Sequence, residues 1–201
     1  LNSTLGLVLF ISLPAMTGLI ALREPLVDIL FGRGAFGSQS VHETALALVG
    51  YSLGLPAFCA VRSLVSAFYA REDTRSPVLA AAICMLLNIA LGFILMQYLR
   101  HIGLALAVAV SSWLNIFLLG IFLRRHIGAW FIWHRGLLFM VLLSTALGCG
   151  VWWTASWGIW SLLCIPFWIV FYWAAAYVLG LEEAKMLLRA MQSFTSRISG
   201  K

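Results

Sequence analysis

Six runs of apolar residues, each long enough to cross a lipid bilayer, decide what this 201-residue chain can become. They lie at 5–22, 44–69, 77–98, 102–123, 136–156 and 159–180. A hydrocarbon core about 30 Å thick takes about 20 helical residues to cross. Lipid offers backbone N–H and C=O groups no water, so each run must satisfy its own backbone as a helix. The in–out alternation of a membrane barrel strand is absent. Composition removes the soluble alternative: 63% of the residues are hydrophobic and mean hydropathy is +1.00, against roughly 45–50% apolar usage in soluble domains. The sequence therefore reads as an all-α polytopic membrane protein with six transmembrane helices. Only "LRHIG" separates the third and fourth runs, a connection short enough to force an antiparallel pair.

Two further segments are amphipathic. Residues 23–40 mix acids, Arg23, Arg33 and glycines with apolar Leu26, Ile29, Leu30 and Phe31. That pattern predicts a short helix in the membrane interface followed by a Gly-rich turn. Residues 181–197 predict a second, with Leu181, Ala184, Leu187 and Leu188 on one side and Lys185 and Arg189 on the other. Its Glu182 and Glu183 sit in the first turn, where the helix dipole favours acids.

The placement of the 13 basic residues gives direction. Nine fall in one set of connections: Arg71, Arg75, Arg124, Arg125, Arg135, Lys185, Arg189, Arg197 and Lys201. Three fall in the other, Arg23, Arg33 and Arg100, and Arg62 lies within a run. The positive-inside rule puts the larger set, and with it the C-terminus, in the cytoplasm. No stripe of cations with interleaved aromatics is present, which argues against nucleic acid as a partner. The chain opens on Leu1 rather than Met, so it reads as a piece of something longer.

Catalytic signatures are missing. His42, His101, His126 and His134 lie in loops or at run ends with no second ligand at i+4. Zinc-protease, nucleophile-elbow and phosphate-loop motifs do not occur. Cys59, Cys84, Cys149 and Cys164 each sit in an apolar run without a C-x-x-C pair and read as small buried hydrophobes. Neither an enzyme nor a cofactor-binding chain is expected. Trp152, Trp153, Trp157 and Trp160, with Trp130 and Trp133, read as aromatic belts at the two interfaces.

A few polar residues lie within the spans. Arg62 is nine residues before Arg71, about 13 Å along a helix, and intramembrane cations cost about 2.5–3.5 kcal/mol on insertion scales. It is a substrate or gate residue, or it snorkels or pairs within the bundle. Asn88, Ser111, Ser112 and Asn115 serve as hydrogen-bonding glue between helices or as substrate contacts. Gly50 and Gly54 form a small-xxx-small face beside Pro56, which predicts close packing at a kink.

The run "YSLGLPAFCAVRSLVSAFYAREDTRSPV", 51–78, resembles the lipid II flippase family (MurJ, formerly MviN). There a Gly-Leu-Pro helix carrying a basic residue leads into Phe-Tyr-Ala-Arg-x-Asp-Thr-x-x-Pro. In this chain that motif falls on Tyr69, Arg71, Asp73, Thr74 and Pro77. "ISLPAMTGLIALREPLVDILFGRGAF", "LLNIALGFILM" and "HIGLALAVAVSSWLNIFLL" are similar as well, so the resemblance covers roughly 5–125. It implies the C-terminal part of a fourteen-helix, two-lobe transporter of the multidrug and polysaccharide exporter superfamily. On that resemblance, 1–125 is an incomplete C-terminal-lobe bundle of four helices, and 126–201 is the last helix pair and a cytoplasmic tail. The implied activity is flipping of lipid II, the undecaprenyl-pyrophosphate-linked peptidoglycan precursor, across the bacterial inner membrane. The implied partners are lipid II, membrane lipid and the N-terminal lobe. Arg62, Asn88 and Asn115 become candidates for substrate binding or gating, with pyrophosphate the anion for Arg62. The last helix pair would carry the polyprenyl tail. Rival readings are an oligosaccharide-lipid or drug exporter of the same superfamily, and a non-transporting membrane scaffold.

The charge asymmetry makes a direct prediction. With the four native cysteines replaced, single cysteines at Ser76 and Ser199 should resist an impermeant thiol reagent applied to intact cells and react after permeabilisation. Labelling of either in sealed cells would reverse the topology.

Overall fold

The computed structural model describes residues 2–32, 37–127, 135–155 and 163–188, and these are all-helical. The helices are α1 (Asn2–Ala21), α2 (Arg23–Phe31), α3 (Ser38–Tyr69), α4 (Arg75–Ile127), α5 (Arg135–Ala155) and α6 (Ile165–Val178). A short α7 (Glu182–Leu188) follows at 115° to α6. Among the described residues four helices are long and apolar enough to cross a membrane: Ser3–Ala21, Ser38–Tyr69, Arg75–Arg124 and Gly136–Ala155.

The third of these is not one rod. Arg100 has φ 50 and ψ −127, outside helical space, and α4 doubles back there. A Cβ on Gly92 would lie 3.3 Å from Leu104 and 4.0 Å from Ala107, whereas residues 92 and 107 of a straight helix would stand about 22 Å apart. The "LRHIG" connection thus produces the antiparallel pair its shortness demands, with the reversal concentrated on one residue. Among the described residues the sixth run contributes α6, which holds 14 residues, about 21 Å of helix. The chain then turns at Gly180, whose φ of +75 suits glycine. Residues 156–162 lie outside the described part.

The helices stand side by side in the order α4, α3, α1, α5, α6, with α2 against α3. Two apolar clusters hold them. Leu5, Leu64, Phe68, Ala80, Leu119 and Leu123 join α1, α3 and both arms of α4. Phe10, Leu22, Met140, Leu147, Tyr172 and Leu181 join α1 to α5, α6 and the start of α7. The first cluster gathers the start of α1, the end of α3 and both ends of α4 at one end of the bundle. Arg71, Arg75 and Arg124 therefore share one end, and Arg23 and Arg100 the other, as the charge grouping anticipates. Arg23 also donates to the Ile20 carbonyl at 3.1 Å, closing the C-terminus of α1.

Both amphipathic segments are helical where described. In α2 Val27 is buried and Leu26 and Ile29 half-buried, but Leu30 and Phe31 are exposed, so only part of the expected apolar set faces the bundle. Gly32 closes α2 through its N–H to Asp28; Arg33 and the following turn lie outside the described residues. In α7 Leu181 and Ala184 are buried, Leu187 and Leu188 half-buried, and Lys185 exposed; Arg189 and beyond are outside the described part. Of the belt residues Trp152 and Trp153 are exposed near the end of α5, and Trp130, Trp133, Trp157 and Trp160 are not described. The cysteines depart from expectation. All four are free, but only Cys84 is buried and Cys149 is exposed, because it lies on the outer face of α5, where lipid rather than core accommodates an apolar thiol.

Gly50 and Gly54 set the spacing of α3 and α4. A Cβ at Gly50 would stand 2.7 Å from the Ala105 Cβ, and one at Gly54 3.0 Å from the Ala109 Cα. At Gly18 a Cβ would meet nothing within 4 Å. Alanine usually stabilises a helix over glycine by roughly 0.5–1 kcal/mol, while overpacking costs about 1–3 kcal/mol. Gly50→Ala is thus expected to lower the melting temperature in detergent and Gly18→Ala to hold or raise it. Equal behaviour of the two would contradict the packing.

Candidate functional site

The charged loop at 70–76 is a helix start built around one carboxylate. Asp73 Oδ1 accepts the N–H groups of Arg75 at 3.1 Å and Ser76 at 3.0 Å, and Oδ2 accepts the Ser76 hydroxyl at 2.6 Å. These are orphan donors of the first turn of α4. Pro77 is buried in that turn, where its missing N–H costs nothing. On the other side the N–H groups of Arg71 and Asp73 return to the Phe68 carbonyl at 2.9 and 3.1 Å, with Glu72 in the left-handed region at φ 61. Tyr69, Arg71, Thr74 and Arg75 are exposed. The motif thereby acquires a physical content. Asp73, Ser76 and Pro77 make the turn, and it presents the basic residues.

Arg62 lies on a different surface. It is exposed on α3, in line with Tyr51, Phe58, Ser66 and Tyr69 at intervals of seven, four, four and three residues. That spacing places all five on one helical stripe. Arg62 has no hydrogen-bond or ion-pair partner among the described residues. On the second arm of α4, Val110, Trp113, Phe117, Ile121 and Arg124 form a similar exposed stripe, and Trp113 Nε1 reaches across to the Leu53 carbonyl at 3.0 Å. The first arm of α4 differs. Every exposed residue from Val78 to Met96 is apolar.

The structure does not bring the remaining candidates to Arg62. Asn88 and Asn115 occupy the two arms of α4, half-buried, each with a buried side-chain oxygen that no described donor meets. Ser111 and Ser112 are buried and donate to the Val108 carbonyl of their own helix at 2.9 and 2.8 Å. They back-bond within α4 rather than bridging helices.

What the sequence reading did not single out is an apolar cavity of about 560 Å³ between α1, α5 and α6. This is within the range of small-molecule sites. Phe10, Pro14, Leu147, Trp168 and Tyr172 are among the residues lining it. The signal for it was present only as three separate apolar runs, 5–22, 136–156 and 159–180.

If Asp73 acts as a cap, Asp73→Ala should cost about 1 kcal/mol and Asp73→Asn, which keeps an acceptor oxygen, much less. Melting of the two variants in detergent decides this. A loss in Asn as large as in Ala would assign the role to the charge instead.

With the geometry in view, comparison with known proteins is informative. The family model described as lipid II flippase MurJ matches residues 1–174. The probable lipid II flippase MurJ of Rhizobium tropici is 38% identical over 153 residues, which are 75% of this chain and 28% of that protein. Its counterpart in Haemophilus influenzae is 26% identical, over 91% of this chain and 38% of that protein. Among solved structures, a lipid II flippase MurJ in an inward closed conformation superposes with a TM-score of 0.74 at 26% identity. That match covers 91% of this chain and 37% of the solved one. The chain thus spans well under half the length of these relatives, and with its family model matched over residues 1–174 it belongs to the lipid II flippase MurJ family.

Proposed function

We propose that this chain is the C-terminal part of a bacterial inner-membrane flippase that moves lipid II by alternating access. The observation that carries the reading is family membership over residues 1–174. The activity for which the relatives are named is extended from them to this chain. In the proposal the six runs are six passes, with α4 contributing one on each side of Arg100. Helices α2 and α7 lie in opposite interfaces, with the 70–76 loop and the C-terminus cytoplasmic. Residues 1–125 form the bundle and 126–201 the last helix pair and tail. The N-terminal lobe completes the transport path, since alternating access rocks one half against another.

The α3 stripe supports a place for Arg62 in that path. A cation among lipid tails is costly, and intramembrane charges face a bundle interior or a watered cavity. A stripe of Tyr51, Arg62, Ser66 and Tyr69 suits such a surface. The apolar first arm of α4 suits lipid. Arg62 then meets the pyrophosphate of the substrate, or the gate through which it passes. Asn88 and Asn115, with their unmet buried oxygens, are further binding or gating positions. The apolar cavity between α1, α5 and α6 would take part of the polyprenyl chain.

In the intact protein Arg62→Lys should keep much of the activity, because a point cation suffices for phosphate. Arg62→Gln should fail to restore growth to flippase-depleted cells while reaching the membrane at the parent's level. Full complementation by Arg62→Gln, or its disappearance from the membrane, would make the residue structural.

A further inference from the structure

We propose that Tyr172 is a latch on a proline break in α1, and that its hydroxyl sets how far α6 can part from α1 across the apolar cavity. The argument begins with Pro14. In an α-helix the N–H of residue 14 donates to the carbonyl of residue 10, and proline has no N–H. The Phe10 carbonyl therefore loses its helical partner inside an apolar bundle, where no water replaces it. Tyr172 Oη donates to that carbonyl at 3.0 Å, from a helix 162 residues away in sequence. The rings of Phe10 and Tyr172 pack with centroids 5.1 Å apart, and the two residues are 1% and 4% exposed.

The surroundings make this contact mechanical. Phe10, Pro14 and Tyr172 all line the cavity, so the bond closes one wall of it. On the far side of the break α1 is gripped by α5: a Cβ on Gly148 would lie 2.9 Å from the Thr17 Cβ. On the near side the α6–α7 segment holds it, through Tyr172 and through Glu183, which abuts Gly6. Tyr172 and Glu183 thus hold α1 before Pro14, while after it Thr17 packs on α5 and Leu22 shares a cluster with both α5 and α6. The missing helical bond at Pro14 makes this the place where α1 bends most readily. The hydroxyl also has somewhere else to go. The buried Ser144 of α5 lies beside it and offers an alternative acceptor. Swinging from the Phe10 carbonyl to Ser144 keeps the tyrosine satisfied while freeing α1. This inference concerns the coupling of helices and holds whatever cargo the protein carries.

A cycle of variants in the intact protein isolates the latch from ordinary packing. Pro14→Ala restores an N–H to the Phe10 carbonyl and should make the tyrosine hydroxyl redundant. Tyr172→Phe should lower the melting temperature in the parent background and lower it by less than half as much beside Pro14→Ala. The spatial reading uses spin labels on Ser3→Cys and Leu163→Cys, both exposed positions, with the native cysteines replaced. The parent should give one narrow distance distribution. Tyr172→Phe should add a longer component, and Tyr172→Phe with Pro14→Ala should remove it. Equal thermal losses in both backgrounds would overturn the proposal, as would an unchanged distribution in Tyr172→Phe. Failure of Pro14→Ala to fold would overturn it too, because the restored N–H is expected to substitute for the tyrosine.

Discussion

A backbone carbonyl that loses its helical partner inside lipid must find a donor elsewhere, and the contact between α1 and α6 is arranged by that requirement. Pro14 frees the Phe10 carbonyl, and Tyr172 of α6 answers it. Trp113 of α4 makes a second long-range tie, to the Leu53 carbonyl of α3, one residue along from the Ser52 carbonyl that Pro56 leaves without its helical N–H. In water either proline would simply expose a carbonyl to solvent. In hydrocarbon an unsatisfied group costs several kcal/mol, so Pro14 dictates a donor at a defined height on a neighbouring helix. The Tyr172 bond ties α1 to α6, and the Trp113 bond ties α3 to the second arm of α4.

Between these polar ties the helices approach through small residues. Gly50 and Gly54 meet Ala105 and Ala109, Gly92 meets Leu104 and Ala107, and Gly148 meets Thr17. Apolar surface gives no net drive for helix association in lipid, so close van der Waals packing carries it. Gly150, whose added Cβ would run into the Trp168 ring, seats that indole of α6 against α5. Glycine and alanine bring backbones together, and Tyr172 and Trp113 add polar ties between helices at backbone carbonyls.

Much of this was legible beforehand, and the exceptions have physical causes. The first five apolar runs, the reversal at "LRHIG" and the Gly50–Gly54 face are local patterns, and the described helices follow them. The 70–76 loop was recognisable as a motif, but not why Asp73 belongs in it, because side-chain acceptance of two backbone donors is geometry rather than composition. Trp113 and Tyr172 escaped because their partners lie 60 and 162 residues away, and an aromatic in an apolar run carries no mark of its acceptor. Cys149 was expected to be buried and is exposed, and Leu30 and Phe31 of the amphipathic α2 are exposed as well. Hydrophobicity predicts removal from water, and in a membrane chain that is met by lipid as readily as by protein. The same ambiguity hid the cavity beside α6.

That ambiguity can be resolved by asking what else shares the exposed face. On the first arm of α4 the exposed set from Val78 to Met96 contains no polar residue, which is what contact with acyl chains tolerates. On α3 the exposed stripe carries Arg62 between Phe58 and Ser66, with tyrosines at both ends. Tyrosines alone would suit an interface, but Arg62 sits about 13 Å along the helix from Arg71, too deep for its whole length to be read as interfacial. A long side chain can snorkel from there, and Ser66 is satisfied within the helix by donating to the Ser63 carbonyl at 2.8 Å; Arg62 has no ion-pair partner among the described residues. The first arm of α4 thus exposes a purely apolar surface between Val78 and Met96, and the α3 stripe a mixed one. Exposure in this part of the molecule therefore has two meanings, and the side chains around each exposed residue decide which applies.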